Sequence, residues 1–241
     1  MDGYREYAPP SELRDSLACL WTRTVPPEGS AARIMPDACS DLIWRAGEGA
    51  FIAGPDTGAW LSSAPPGTVL VGARFRPGAG GAALGVPLSE LLNLRVGLSS
   101  LHPRLDEQLE PDLAPREALR RVTTAAGELA TSPDPAVLAA VRQLNDPRTR
   151  VETLADELGF SERQLRRRCH AAVGYGPKTL QRVLRFRRFL RHAETDDDLA
   201  RIALDAGYAD QAHLTRDCAR LSGLTPGQLI RTRVPAVASP S

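Results

Sequence analysis

The stretch LADELGF (Leu154 to Phe160) returns as IALDAGY (Ile202 to Tyr208), 48 residues downstream, and both read aliphatic-Ala-x-x-apolar-Gly-aromatic. LRRRC (Leu165 to Cys169) then returns as LTRDC (Leu214 to Cys218) at an offset of 49, after one extra residue in the turn. The same offset of 49 pairs Gly174 with Gly223 and Pro177 with Pro226. Matches that survive a single-residue slip mark two copies of one supersecondary unit. This duplication constrains the fold more than any other feature of the chain.

Each copy reads helix, tight turn, helix. In the first, Val151, Leu154, Ala155 and Leu158 fall at i, i+3, i+4 and i+7, the stripe of an amphipathic helix. Gly159 ends it, because glycine takes the left-handed conformation freely. Ser161 is placed to cap the next helix by accepting a backbone N–H that has no intrahelical partner. In that helix Leu165, Cys169 and Ala172 share one face. At 100° per residue, Arg163, Arg167 and His170 point nearly opposite, with Arg166 at the flank. In the second copy Asp210 is the expected cap, and Leu214, Cys218 and Leu221 form the buried face. Ala212 and Arg216 project outward there, with Gln211, His213 and Thr215 towards the edges. Two helices around a short Gly-containing turn, the second exposing Arg, Gln, His and Thr near its start, describe a helix-turn-helix reader of the major groove.

Charge agrees once the chain is divided. The formal net charge is only +1, but Arg148 to Arg233 holds 17 Lys+Arg against 11 Asp+Glu, a net of +6 that leaves −5 elsewhere. Such asymmetry points to an anionic partner for one part. Lys178 is the only lysine, so the basic charge is mainly arginine, which forks onto phosphates and guanines. The arginines of RFRRFLR (Arg185 to Arg191) alternate with Phe186, Phe189 and Leu190, the pattern of a connecting helix whose arginines meet phosphate or solvent.

Residues from about 134 to 232 resemble the DNA-binding domain of the AraC/XylS family of bacterial transcription regulators, which carries two helix-turn-helix units joined by a long helix. The stretch IALDAGYADQAHLTRDCARLSGLTPGQL (Ile202 to Leu229) is similar to the family signature over nearly its whole length. The resemblance places base-facing positions of the first reader helix on Arg163, Arg166 and Arg167. Those of the second fall on Gln211, Ala212, His213, Thr215 and Arg216. Cys169 and Cys218 stand where that family usually has a large aromatic, and the acidic Asp217 is unusual, suggesting weaker affinity for phosphate.

The first hundred residues are broken by Pro and Gly into short runs. TVLVGARF (Thr68 to Phe75) puts Val69, Val71, Ala73 and Phe75 on one parity, as in a half-buried strand. DLIW, FIAG and WLSS read as further strands, and Ser89 in PLSELLNL as a helix cap. MPDACSDLIW (Met35 to Trp44), AGPDT (Ala53 to Thr57) and the stretch from Val71 to Val96 resemble a β-rich domain that precedes this DNA-binding domain in many actinobacterial regulators. The resemblance implies a sensing or dimerising role and identifies no ligand.

The expected fold is α+β: a mostly β sensor-like domain over 1–103, a helical linker over 104–132, an all-α double helix-turn-helix domain over 133–233, and a disordered tail over 234–241. The expected function is sequence-specific transcription regulation through double-stranded DNA, modulated through the first domain. Candidate partners are a small-molecule effector, RNA polymerase if the protein activates, and a second copy of the chain. The alternative is an enzyme-like or purely dimerising first domain. The loop PGAGG (Pro77 to Gly81) lacks the Lys-Ser/Thr ending of a phosphate cradle and reads as a turn. Asp37, Cys39, Asp41 and His102 follow no spacing rule of a nucleophile or metal site, so no catalytic residue, metal or cofactor is expected. Asp37 is expected in turn contacts. The sequence shows neither signal peptide nor membrane-spanning run, which gives a soluble cytoplasmic expectation with reduced thiols.

Overall fold

The computed structural model describes residues 3–27, 32–196 and 198–232; the expected tail over 234–241 lies outside them. The amino-terminal half contains β1 (Arg5–Tyr7), β2 (Leu17–Thr24), β3 (Ala32–Ile34), β4 (Ser40–Arg45), β5 (Gly49–Ala53), β6 (Trp60–Ser62), β7 (Val69–Phe75), α1 (Gly80–Leu84), β8 (Arg95–Gly97), α2 (Pro103–Asp106) and α3 (Pro115–Leu129). An antiparallel sheet runs β1-β2-β7-β4-β5-β8, and β3 and β6 form a separate ribbon.

Alternation sends Leu20, Leu42, Trp44, Val71, Ala73 and Phe75 to one face, where Ala118, Val122, Ala125 and Leu129 of α3 cover them. The segment expected as a linker is therefore helical but also closes this core. The opposite face is ordered in cross-strand rows. Cys19, Arg74 and Asp41 are register partners, as are Trp21, Gly72, Ile43 and Phe51 in the next row. A Cβ on Gly72 would stand 2.2 Å from the Trp21 ring, so glycine is what lets the indole lie across β7. β7 was expected to be half-buried, but Leu70 and Arg74 on its second parity are each only 6% exposed. Ser89 is no helix cap: it lies in a single 3-10 turn, Leu88–Glu90, that makes no side-chain cap bond.

The second half contains α4 (Pro135–Leu144), α5 (Val151–Glu157), α6 (Glu162–Val173), α7 (Pro177–His192), α8 (Leu199–Asp205), α9 (Gln211–Ser222) and α10 (Pro226–Thr232). One apolar cluster unites Leu165, Cys169, Leu214 and Cys218 with Phe186 and Phe189 of α7. Met35 and Ala38, from the other half, join that cluster. The docking is close. A Cβ on Gly81 would stand 2.3 Å from the Ala171 carbonyl oxygen of α6, and one on Gly174 2.6 Å from Pro55.

Candidate nucleic-acid interface

The two expected reader helices are α6 and α9, and each begins on a side-chain cap. Ser161 Oγ accepts from the Gln164 N–H at 3.3 Å while Gln164 Oε1 accepts from the Ser161 N–H at 2.9 Å, a reciprocal box. Asp210 Oδ1 accepts from the His213 N–H at 2.6 Å. Both helices end on a left-handed glycine, Gly174 at φ 90° and Gly223 at φ 72°. Cys169 and Cys218 are fully buried, and burial pushes both thiols up to about 12.

On α6, Arg163, Arg166 and Arg167 are exposed and His170 is half-buried. The next arginine turns back: Arg168 Nη1 is 2.5 Å from Asp134 Oδ2, and its guanidinium lies 4.7 Å from the Phe160 ring centroid. On α9, Gln211, Ala212, Thr215 and Arg216 are exposed, and the Thr215 hydroxyl donates to the Gln211 carbonyl at 2.8 Å. His213 is drawn inward. Its ring meets Tyr208 edge-on at 5.1 Å, and its Nε2 lies 3.2 Å from Arg185 Nη1 and 3.7 Å from Asp217 Oδ2. Asp217 is 6% exposed and 3.3 Å from Arg182. It faces α7 and pairs there with Arg182, so the expected weakening of phosphate affinity would act on that arginine and not on the outer face of α9.

A cleft of about 520 Å³ runs between the two units, with Lys178, Arg182, Arg216 and Arg220 in its walls. Sequence reasoning missed Lys178, Arg182 and Arg220, although Lys178, Arg182 and Arg185 recur at helical spacing along α7. The arginines of the connecting helix divide differently from the phosphate-or-solvent expectation. Arg188 is 5% exposed and donates to the Asn145 and Ala206 carbonyls at 2.7 and 3.2 Å. Arg187 donates to the Asp37 carbonyl at 3.0 Å. From β3, Arg33 donates to the Ser222 carbonyl at the end of α9 at 2.8 Å. Asp37 makes the expected turn contact, Oδ1 accepting from the Cys39 N–H at 2.9 Å.

Residues 154–232 match a family model described as a helix-turn-helix domain, and residues 5–97 match one described as a domain of unknown function, DUF6597. No curated protein matches the chain. Among solved structures it is similar to ToxT from Vibrio cholerae O395, at 10% identity and a TM-score of 0.48, over 93% of this chain and 100% of that one. It is similar also to an apo ToxT variant from Vibrio cholerae strain SCE256, at 9% identity and a TM-score of 0.47, over 96% of each chain. The chain is a DNA-binding transcriptional regulator with an AraC-type helix-turn-helix domain. A separate DUF6597 domain precedes that reader.

Proposed function

We propose that the protein reads one duplex with both helices at once, α6 and α9 entering successive major grooves on the same side. The observation that supports this most directly is the pair of capped helices with unlike exposed faces mounted on one core. Arg163, Arg166 and Arg167 face one segment, and Gln211, Ala212, Thr215 and Arg216 the other. His170 and His213 sit at the margins. Lys178, Arg182 and Arg220 hold phosphate in the cleft, where contacts position the protein without reading sequence.

One protomer then binds an asymmetric site whose segments lie about 10 base pairs, or 34 Å, apart. The boundary between the regulatory and reading parts falls between α3 and α4, since α3 belongs to the sheet's core and α4 to the helical one. The hydrogen bonds from Arg33 to Ser222 and from Arg187 to Asp37 support modulation of the reader by the first domain, because they join the two parts directly.

The test is binding of the full chain to its genomic site with and without five extra base pairs between the segments. The insertion turns the second segment to the far side of the duplex, and affinity falls to that of a half-site. Unchanged affinity would overturn simultaneous reading. Binding should also weaken steeply with salt, as counterions released by arginine contacts require.

A further inference from the structure

Between the sheet and the β3–β6 ribbon lies a cavity of about 880 Å³, within the range that takes a small organic molecule. Its middle is apolar: Trp21, Ile43 and Phe51 occupy one cross-strand row, with Gly72 leaving the indole flat on β7. Trp60 of the ribbon stands opposite, its ring 4.3 Å from the Arg95 guanidinium. At one end a fixed polar group is built into the sheet. Asp41 Oδ1 accepts from Trp21 Nε1 at 2.7 Å and from Arg74 Nε at 3.2 Å.

The hydrogen bonding at this end is one-sided. Besides Asp41, the Asp37 carboxylate accepts from the Cys39 N–H and that of Asp56 from both Arg95 Nη atoms. The Tyr4 hydroxyl donates to Glu6. One donor remains over. The Arg74 side chain is 8% exposed, yet its Nη1 is buried with no hydrogen-bond partner among the described residues. A buried donor left unmade is costly, so it calls for an acceptor. Charge is not what is lacking. Asp41, Asp37 and Glu6 lie 3.2, 3.7 and 3.9 Å from the one Arg74 guanidinium. An anion at that end would meet those carboxylates, and a cation would meet the unpaired N–H of the Arg74 guanidinium.

We infer that this cavity binds a neutral, largely apolar and planar molecule whose carbonyl-type oxygen accepts from Arg74. Trp21, Phe51 and Trp60 cover its ring system. The inference deepens the reading of residues 5–97 as the regulatory part and rests on it. It leaves the DNA-reading proposal untouched, because duplex binding is measured separately on the same sample.

The probe is 2-naphthamide, titrated into the full chain alongside 2-naphthoate, 2-naphthylmethylammonium and naphthalene, with tryptophan fluorescence and melting temperature as readouts. The amide should quench fluorescence and raise the melting temperature with concentration, since it binds only the folded chain. Naphthalene, without the acceptor, should bind about tenfold more weakly, the scale of one hydrogen bond to a charged group. Both ionic analogues should also fall below the amide. Ile43→Phe, which fills the apolar row from β4, should abolish the amide's effect while the ligand-free melting temperature and duplex affinity stay near those of the parent. Arg74→Gln should bring the amide down to naphthalene's affinity if that variant folds; Ile43→Phe carries the test if it does not. Tighter binding of the carboxylate or the ammonium would overturn the neutral class. Failure of the amide to bind, or full binding by Ile43→Phe, would overturn the site.

Discussion

Gly81→Ala separates the stability of the first domain from its docking onto the reader. Gly81 lies in α1 and is not among the residues with positive φ, so alanine fits its backbone. Taken alone, the helix should gain about 1 kcal/mol from the change. Docked, the new Cβ would stand 2.3 Å from the Ala171 carbonyl oxygen and 3.0 Å from Ala172 Cα, both backbone atoms of α6. Neither is the far end of a flexible side chain, so the halves must separate by roughly 1 Å or distort, and overpacking of this kind costs about 1–3 kcal/mol. The clash outweighs the helical gain at the interface and is absent when the halves are apart. The open form should rise about 5-fold or more. Limited proteolysis between α3 and α4, at the exposed Thr131 and Ser132, reads that population when reclosing outpaces cleavage. Unchanged cleavage together with a raised melting temperature would mean that α1 and α6 do not meet as described.

Arg167→Ala and Arg216→Ala should each remove about 1–3 kcal/mol of discrimination at one base position if the side chain forks onto a guanine. Single-base operator variants measure it, and we expect this for Arg167; equal weakening on all sequences would assign the residue to phosphate. Arg188→Met leaves the Asn145 and Ala206 carbonyls without their donor and should destabilise the reader by about 2 kcal/mol or more in denaturant titration. Alkali should also destabilise the fold. Cys169 and Cys218 hold their protons to about 12 when folded against a usual 9, so between those values the folded state binds more protons and stability falls as pH rises. At pH 10 the loss is roughly 1 kcal/mol per thiol, and replacing both cysteines with alanine should reduce the slope above pH 9, the rest coming from Cys19 and Cys39, whose thiols burial also pushes up.

The reader was legible in the sequence because its determinants are local. Ser161, Gly159 and Asp210 act on backbone within four residues, and the buried stripe of each helix follows from its period. The cavity was not legible. Arg74 is buried only because Asp41, 33 residues away, meets it across two strands, and no local pattern announces such a partner. Seen along the chain, Gly72 and Arg74 looked like the wet side of a half-buried strand, when the Trp21 indole in fact lies over Gly72 and the carboxylates of Asp41, Asp37 and Glu6 surround Arg74. His213 was misleading for a related reason. Helical phase sets it at the edge of α9, but Tyr208 in the turn before α9 and Arg185 on α7 decide which way it leans.

Phe186 and Phe189 of α7 sit in the same interior as Leu165 from one copy of the duplicated unit and Leu214 from the other, so neither copy owns a core. In a solenoid each repeat meets only its neighbours, and arrays lengthen or shorten by whole units. This pair is closed. Removing either copy strips one side of α7. Inheritance therefore treats the two copies unequally by layer. Their outer faces are free to diverge, as Arg163, Arg166 and Arg167 have from Gln211, Ala212 and Thr215. Their inner faces must change together, since a misfit at Cys169 or Cys218 reaches both readers through the one helix they share.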